Sequence, residues 1–344
     1  MRVAIVGATG YGGVELIRLL RQHRQVTEIS VFSSSQAEES LTLTYPHLQD
    51  VYKGVLQTID TKVLASAYDV VFLSAPPGVA ATLASGLLEG SAAIVDLSGD
   101  FRIKEARIYE EWYGQKAAPA DLRKQAVYGL SEWNDEEIRT AKLIANPGCY
   151  PTAILLGLAP AVKQGAVNMN SLIIDAKTGT TGAGKNPSAV THFSEMNESM
   201  KIYKVNEHKH TPEIEQLLAE WNKGAGPVTF TPHLVPMSRG IMATMYVEST
   251  GGLSHDDWLQ LYKDAYESHP FVRVRKNGFP ATKEVSGSNY CDIYLDYDAR
   301  TNRVTIVSVI DNLVKGAAGQ AIQNANIMNG YKVTEGLDFI PVYP

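Results

Sequence analysis

The segment Gly7-Ala8-Thr9-Gly10-Tyr11-Gly12-Gly13 joins a short apolar strand, Arg2–Val6, to an amphipathic helix, Tyr11–Gln22. A strand that runs through a glycine turn into a helix is the opening of a dinucleotide-binding domain. Without a Cβ, the backbone can turn tightly and approach a pyrophosphate. The helix start then offers N–H groups and a positive dipole end. Gly7, Gly10 and Gly13 carry the spacing, and Thr9, Tyr11 and Gly12 share the turn. A tight turn that binds nothing remains the alternative for a glycine pattern alone. The strand before it and the helix after it favour nucleotide binding.

The following segments extend the pattern. Thr27–Phe32, Asp69–Ser74, Ala92–Asp96 and Lys142–Asn146 are strand-like, and Val79–Glu89 is helical. Strands alternating with helices predict an α/β, Rossmann-type doubly wound parallel sheet over residues 1–148. Beyond it, Ser171–Lys177, Val228–Val235, Ile241–Glu248, Asn289–Tyr297 and Arg303–Ile310 read as strands, several of them alternating. Helices are expected at Pro212–Lys223 and His255–Glu267. This predicts an α+β domain with a mainly antiparallel sheet over 149–312, suited to substrate binding and oligomerisation. Residues 313–344 hold a last helix, Leu313–Asn329, which opens with Gly316 and Gly319, and a tail. A chain of 344 residues fits two domains.

Charge narrows the partners. Lys and Arg number 31 against 37 Asp and Glu, a balance of −6. No basic block is present, so neither nucleic acid nor an anionic membrane is expected. The first residues are apolar too briefly for a signal peptide, and no apolar run approaches the roughly 20 residues of a membrane span. Two cysteines, Cys149 and Cys291, exclude a disulfide framework and suit a reducing cytoplasm.

Ser33-Ser34-Ser35 follows the second strand, where an acidic residue would grip a ribose 2′-hydroxyl. Three hydroxyls can donate to a 2′-phosphate instead, which favours NADP over NAD; Arg18 or Arg21 can add charge. Asn146-Pro147-Gly148-Cys149-Tyr150-Pro151-Thr152 ends a strand and precedes the apolar run Ala153–Val162. Pro151 suits the first turn of a helix. Cys149 at a helix start would be biased towards thiolate; a buried, inert cysteine is the competing reading. A nucleotide fold with a cysteine at the domain junction favours the first. Cys291, in an alternating strand, is read as structural.

Together, GATGYGG, VYGLSE (Val127–Glu132), NPGCYPT, DAKTGTTGAGK (Asp175–Lys185), NEHKHTPEIE (Asn206–Glu215) and DNLVKGAAGQAIQNAN (Asp311–Asn326) resemble the N-acetyl-gamma-glutamyl-phosphate reductase family, relatives of aspartate-semialdehyde dehydrogenase. The resemblance implies NADPH-dependent reduction of N-acetyl-L-glutamyl 5-phosphate to the 5-semialdehyde and phosphate in arginine biosynthesis. It also implies an active site between the two domains. The nucleophile maps onto Cys149 and the acid/base onto the His208-Lys209-His210 segment, with His210 chosen and His208 assigned to the substrate. By the same resemblance the final helix returns to the nucleotide domain, Asn312 holds the nicotinamide carboxamide, and Gly316 admits the cofactor. Ser98–Arg102 resembles a loop near the active site. A homodimer or homotetramer is implied, with the second domain's sheet as the face in need of cover.

The chemistry of the residues supports further assignments. The Cys149 N–H and the Asn146 side chain can stabilise an oxyanion. The loop from Lys177 to Lys185, with Gly182, Ala183 and Gly184, can cradle the acyl phosphate through N–H groups. Arg239 can clamp the substrate α-carboxylate, since guanidinium binds carboxylate as a fork. His208 and His210, with Glu207 or Glu213, have the composition of a metal site, but the chemistry needs none and no metal is expected. The rival readings are an aspartate-semialdehyde or aminoadipyl-phosphate reductase, or a non-catalytic NADP-binding sensor.

Overall fold

Val3-Ala4-Ile5-Val6 is apolar at every position, a pattern suited to a strand covered on both faces. The computed structural model describes residues 1–344 and bears this out. Residues of both parities in this strand are fully buried. The strands of the first sheet are β1 (Arg2–Val6), β2 (Glu28–Phe32), β3 (Val70–Leu73), β4 (Ala93–Asp96), β5 (Val127–Tyr128) and β6 (Leu143–Ala145). They pair in the order β2-β1-β3-β4-β6-β5, all parallel. The chain moves from β1 outward to β2, then returns to the other side of β1 for β3. That reversal leaves a crevice at the carboxyl ends of β1 and β3, where nucleotides bind in sheets of this type. The glycine turn sits there.

Met1–Pro147 and Ala317–Asp338 form one compact unit, and Gly148–Gly316 with Phe339–Pro344 the other. In the first, the helix Gly319–Met328 packs on β4 and beside the helices Tyr11–Leu20 and Asp135–Thr140. Buried amides stitch it down. Asn324 Nδ2 donates to the Gly129 carbonyl at 2.8 Å, and Gln320 Nε2 to the same carbonyl at 2.8 Å. Ser131 Oγ donates to Asn324 Oδ1 at 2.6 Å. The VYGLSE and QAIQNAN motifs are therefore two halves of one buried polar network.

Gly13 is required by packing. A Cβ there would lie 2.5 Å from Ala8 Cα and 2.6 Å from the Gly7 carbonyl oxygen, both backbone atoms. Gly13→Ala should cost about 1–3 kcal/mol of stability. A urea midpoint equal to that of the parent would refute this.

The second unit holds β7 (Val167–Thr178), β8 (Lys201–Ile202), β9 (Thr229–Leu234), β10 (Ile241–Ser249), β11 (Val272–Val274), β12 (Cys291–Asp298) and β13 (Arg303–Ile310). Their order is β11-β12-β13-β10-β7-β9-β8. Only β7–β9 and β11–β12 are parallel, so the sheet is mixed and mainly antiparallel. The helix Cys149–Lys163 lies on β7, β10 and β13, with His255–Tyr266 and Thr211–Trp221 beside it. Every residue from Tyr150 to Val162 is buried, as expected of a helix apolar all round. Along β10, Ile241, Ala243, Met245 and Val247 face this core, while Met242, Thr244, Tyr246 and Glu248 are half-buried on the other face. No helix is long and apolar enough to cross a membrane.

The expected last helix, Leu313–Asn329, is present over residues 314–328, and its first turn, Val314–Ala318, is a wide π-helical turn that runs into the α-helix Gly319–Met328. The Gly316 N–H reaches back five residues to the Asp311 carbonyl at 3.0 Å, which opens the turn. Strands β5, β8 and β11 were not anticipated, because two or three residues carry no periodicity.

Candidate active site

Strand β6 ends at Ala145, and Gly148 caps the helix that begins with Cys149. Two glycines shape the surroundings of the thiol. A Cβ on Gly148 would lie 2.5 Å from His210 Nε2, so the imidazole is packed against the backbone just before Cys149. A Cβ on Gly316 would lie 2.8 Å from Cys149 Cβ. Gly316 thus makes room for the cysteine itself, where the resemblance reserves it for the cofactor. Cys149 is half-exposed and not in a disulfide, whereas Cys291 is fully buried, 3.3 Å from Ser308 Oγ.

His210 caps the helix Thr211–Trp221, which opens with Pro212. Three residues on, Glu213 is fully buried and its Oε1 accepts the Gly148 N–H at 2.9 Å. The histidine helix and the cysteine helix are thereby joined at their starts. His208 is different in kind. Its ring sits 4.9 Å from that of His210 and edge-on to Tyr150, Tyr203 and Phe230. Burial first, then Lys209 and Lys204, push its pKa down to about 3. Its Nδ1 accepts the His210 backbone N–H at 3.2 Å. A ring held neutral and committed to the backbone is poorly suited to cycling a proton near neutral pH. Tyr150 donates to the His233 carbonyl at 3.4 Å and receives a bond from Tyr203 at 3.3 Å. Burial raises the pKa of both phenols, that of Tyr203 to about 12.

The low pKa of His208 has a measurable consequence. Above pH 6.5 the ring is neutral in the folded and unfolded chains alike. As pH falls from there towards 3, only the unfolded chain gains the proton, so stability is lost. His208→Gln should show a shallower acid loss than the parent when urea midpoints at pH 7 and 4.5 are compared. An unchanged slope would count against a neutral His208.

The remaining residues are dispersed. Lys177 pairs with Asp175 at 2.8 Å on β7, and Asp175 also meets His233 Nδ1 at 3.1 Å. The Gly179, Thr180 and Thr181 N–H groups donate to the carbonyls of Gly240, Met237 and Ser238. Those of Gly182 and Gly184 bond within the loop itself. The loop is therefore not the open cradle of N–H groups expected from its sequence, although Gly182, Ala183 and Gly184 are exposed. Arg239, half-exposed on the adjoining turn, meets Asp311 Oδ2 at 3.4 Å. The Asn312 amide is engaged at both ends, accepting from the Gly240 N–H at 2.8 Å and donating to Thr181 Oγ1 at 3.0 Å. Asn146, in the first unit, is fully buried: its amide donates to the Ala317 carbonyl at 3.2 Å and accepts from Asn324 at 3.0 Å.

At the glycine turn, Gly7 adopts φ +87° and its N–H bonds the Phe32 carbonyl at 3.0 Å. Gly10 caps the helix, and only the Gly7 carbonyl, 3.7 Å away, lies near where its Cβ would be. The helix start has no side-chain cap and has room for a phosphate beside it, so the turn fits a dinucleotide. Tyr45 holds the turn by donating to the Thr9 carbonyl at 2.9 Å. Ser33 Oγ accepts the N–H groups of Ser35 and Gln36, while Ser34 and Ser35 are exposed. Arg18 is paired with the buried Glu15 at 2.7 Å.

Comparison with known proteins decides the family. Residues 2–141 match the semialdehyde dehydrogenase NAD binding domain, and 149–312 the semialdehyde dehydrogenase dimerisation domain. The N-acetyl-gamma-glutamyl-phosphate reductases of Geobacillus kaustophilus and Halalkalibacterium halodurans are 56% and 57% identical over 345 residues, each covering all of both chains. The chain belongs to the semialdehyde dehydrogenase family, among its N-acetyl-gamma-glutamyl-phosphate reductases. Its fold is shared more widely. An aspartate semialdehyde dehydrogenase II from Vibrio cholerae aligns with a TM-score of 0.72 at 19% identity, covering 96% of this chain and 98% of that one. One from Candida albicans, solved with NADP, gives 0.62 at 14%, covering 95% and 98%.

Glu213, Tyr150, Tyr203 and Tyr45 also brace these elements, and of the four the sequence suggested only Glu213, as a candidate metal ligand. Glu213 had a signal, because it lies one helical turn beyond His210. Tyr45 had none, since its partner is a backbone carbonyl distant in sequence, and the Tyr150–Tyr203 bond joins residues 53 positions apart.

Proposed function

We propose that this enzyme reduces N-acetyl-L-glutamyl 5-phosphate to N-acetyl-L-glutamate 5-semialdehyde and phosphate, with NADPH as the reductant, in arginine biosynthesis. The observation that carries the mechanism is the His210 imidazole packed against Gly148, next to Cys149 at a helix start. The dipole of that helix favours thiolate at its first residue. His210 takes the thiol proton. The thiolate attacks the acyl carbon, the C–O bond to phosphate breaks, and a thioester forms on Cys149. The Cys149 N–H at the helix start faces the developing oxyanion. The Gly7–Gly13 turn would hold NADPH, whose chemistry would be hydride donation to the thioester carbon. Cys149 then leaves as thiolate, and His210 carries the proton between turnovers. Arg239 is the clamp for the substrate α-carboxylate, and Lys177 lies along β7 for the phosphate end.

Asn146 is better read as a buried brace than as an oxyanion donor, because its amide is bonded to Ala317 and Asn324. Homo-oligomerisation fits the dimerisation-domain match, and the half-buried face of β10 suits a dimer contact. The preference for NADP is supported by the exposed Ser34 and Ser35, with no acidic residue in the Ser33–Ser35 run that follows β2. Ser34→Asp should therefore lower kcat/KM for NADP about tenfold or more by like-charge repulsion, and spare NAD. Equal loss with both cofactors would remove Ser34 from the 2′-phosphate site. The reaction itself is tested in reverse, with N-acetylglutamate semialdehyde, NADP and phosphate. Turnover of aspartate semialdehyde in preference would overturn the substrate assignment.

A further inference from the structure

Asp311 is fully buried directly after β13, and a buried carboxylate is tolerated only where donors surround it. Oδ1 accepts the Leu313 and Val314 N–H groups at 2.8 and 3.2 Å. Oδ2 accepts the Gly287 N–H at 2.7 Å and meets Arg239 Nη1 at 3.4 Å. The next residue, Asn312, holds the Gly240 N–H. Consecutive residues at the end of one strand thus grip Arg239 by its side chain and the following residue by its backbone. The Asp311 carbonyl also accepts the Gly316 N–H, and Gly316 abuts Cys149.

The Gly287 side of this arrangement has its own support. Gly287 is left-handed, with φ +71°, and a Cβ there would lie 3.2 Å from Val342 Cγ2. The Val342 N–H donates to the Ser286 carbonyl at 2.8 Å. The last residues of the sequence therefore fasten the turn that presents the Gly287 N–H to Asp311.

We infer that Asp311 is a positioning residue that pre-sets the Arg239 guanidinium for the substrate carboxylate, and that Val342 straps down the turn on which Asp311 depends. The inference rests on the reading of Arg239 as that clamp. An arginine is a long, rotamer-rich side chain, and holding it before substrate arrives removes an ordering cost from binding. Asp311 does not touch the reacting atoms, so its effect belongs in KM rather than kcat.

The test is steady-state kinetics of the full-length enzyme in the reverse direction. Asp311→Asn should raise KM for the semialdehyde about tenfold and leave kcat and the KM for NADP little changed. Arg239→Ala should raise the same KM, and the double variant should be no worse than Arg239→Ala alone, since the first change acts through the second residue. Val342→Pro deletes the N–H to Ser286 and should raise the same KM by a smaller factor. If Asp311→Asn leaves KM unchanged while Arg239→Ala raises it, or if the two effects multiply, the inference is overturned. If Arg239→Ala leaves KM unchanged, the clamp reading fails, and the inference with it. Should Asp311→Asn fail to fold, Val342→Pro decides: a raised KM supports the strap, and a parental KM overturns it.

Discussion

Cys149→Ala should abolish turnover, by about 10⁴-fold or more, while leaving NADP binding and the thermal midpoint near those of the parent. The size follows from what is removed. No other cysteine can substitute, because Cys291 is fully buried within the sheet. Without the thiolate the thioester that accepts the hydride never forms, and in reverse neither does the thiohemiacetal that donates it. The mildness of the structural effect follows from the site. Cys149 is half-exposed at a helix start, and alanine keeps the Cβ that meets Gly316. Loss of activity with loss of fold would be uninformative on the chemistry, so the melt is measured on the same preparation. Residual turnover within a few-fold of the parent would remove Cys149 from the mechanism.

His210→Asn should lower kcat by about 10²–10⁴-fold, the range for a lost general acid/base. It should also slow alkylation of Cys149 by iodoacetamide near neutral pH, because the thiolate loses its proton acceptor. Raising the pH should recover part of the alkylation rate, since hydroxide then does what the imidazole did. His208→Gln should act differently. Its ring is neutral and buried and supports the His210 backbone, so its loss should loosen the site without changing the shape of the pH profile. Equal effects of the two substitutions on alkylation and pH profile would contradict the division of labour between these histidines.

The parts of the fold legible in the sequence are those with a period or a punctuation mark. The glycine turn, the all-apolar strands and the alternation along β10 each state their environment directly. Cys149 was legible because Gly148 before it and Pro151 after it mark a helix start. What escaped the sequence depends on distant partners. Nothing near Gly148 announces that its missing Cβ makes room for His210, some sixty residues on. The glycine-rich loop after β7 reads as an anion cradle, yet the N–H groups of Gly179, Thr180 and Thr181 are spent on the turn at Met237–Gly240 and those of Gly182 and Gly184 within the loop. Asn312 reads as a ligand amide by resemblance and Asn146 by its place beside the cysteine, and both are bonded within the protein. The extent of the final helix is legible from its continuous propensity, whereas the wide first turn is not, because it depends on the Asp311 carbonyl and the room needed by Cys149.

The acyl-enzyme is tested most directly by mixing the protein rapidly with N-acetylglutamate semialdehyde and NADP in the absence of phosphate. The account predicts a burst of NADPH of about one per active site, followed by a near-halt, with the N-acetylglutamyl group found on the Cys149 peptide by mass spectrometry after acid quench. Adding phosphate should release it and restore turnover. A steady rate with no burst, or an acyl group on any residue other than Cys149, would contradict the account.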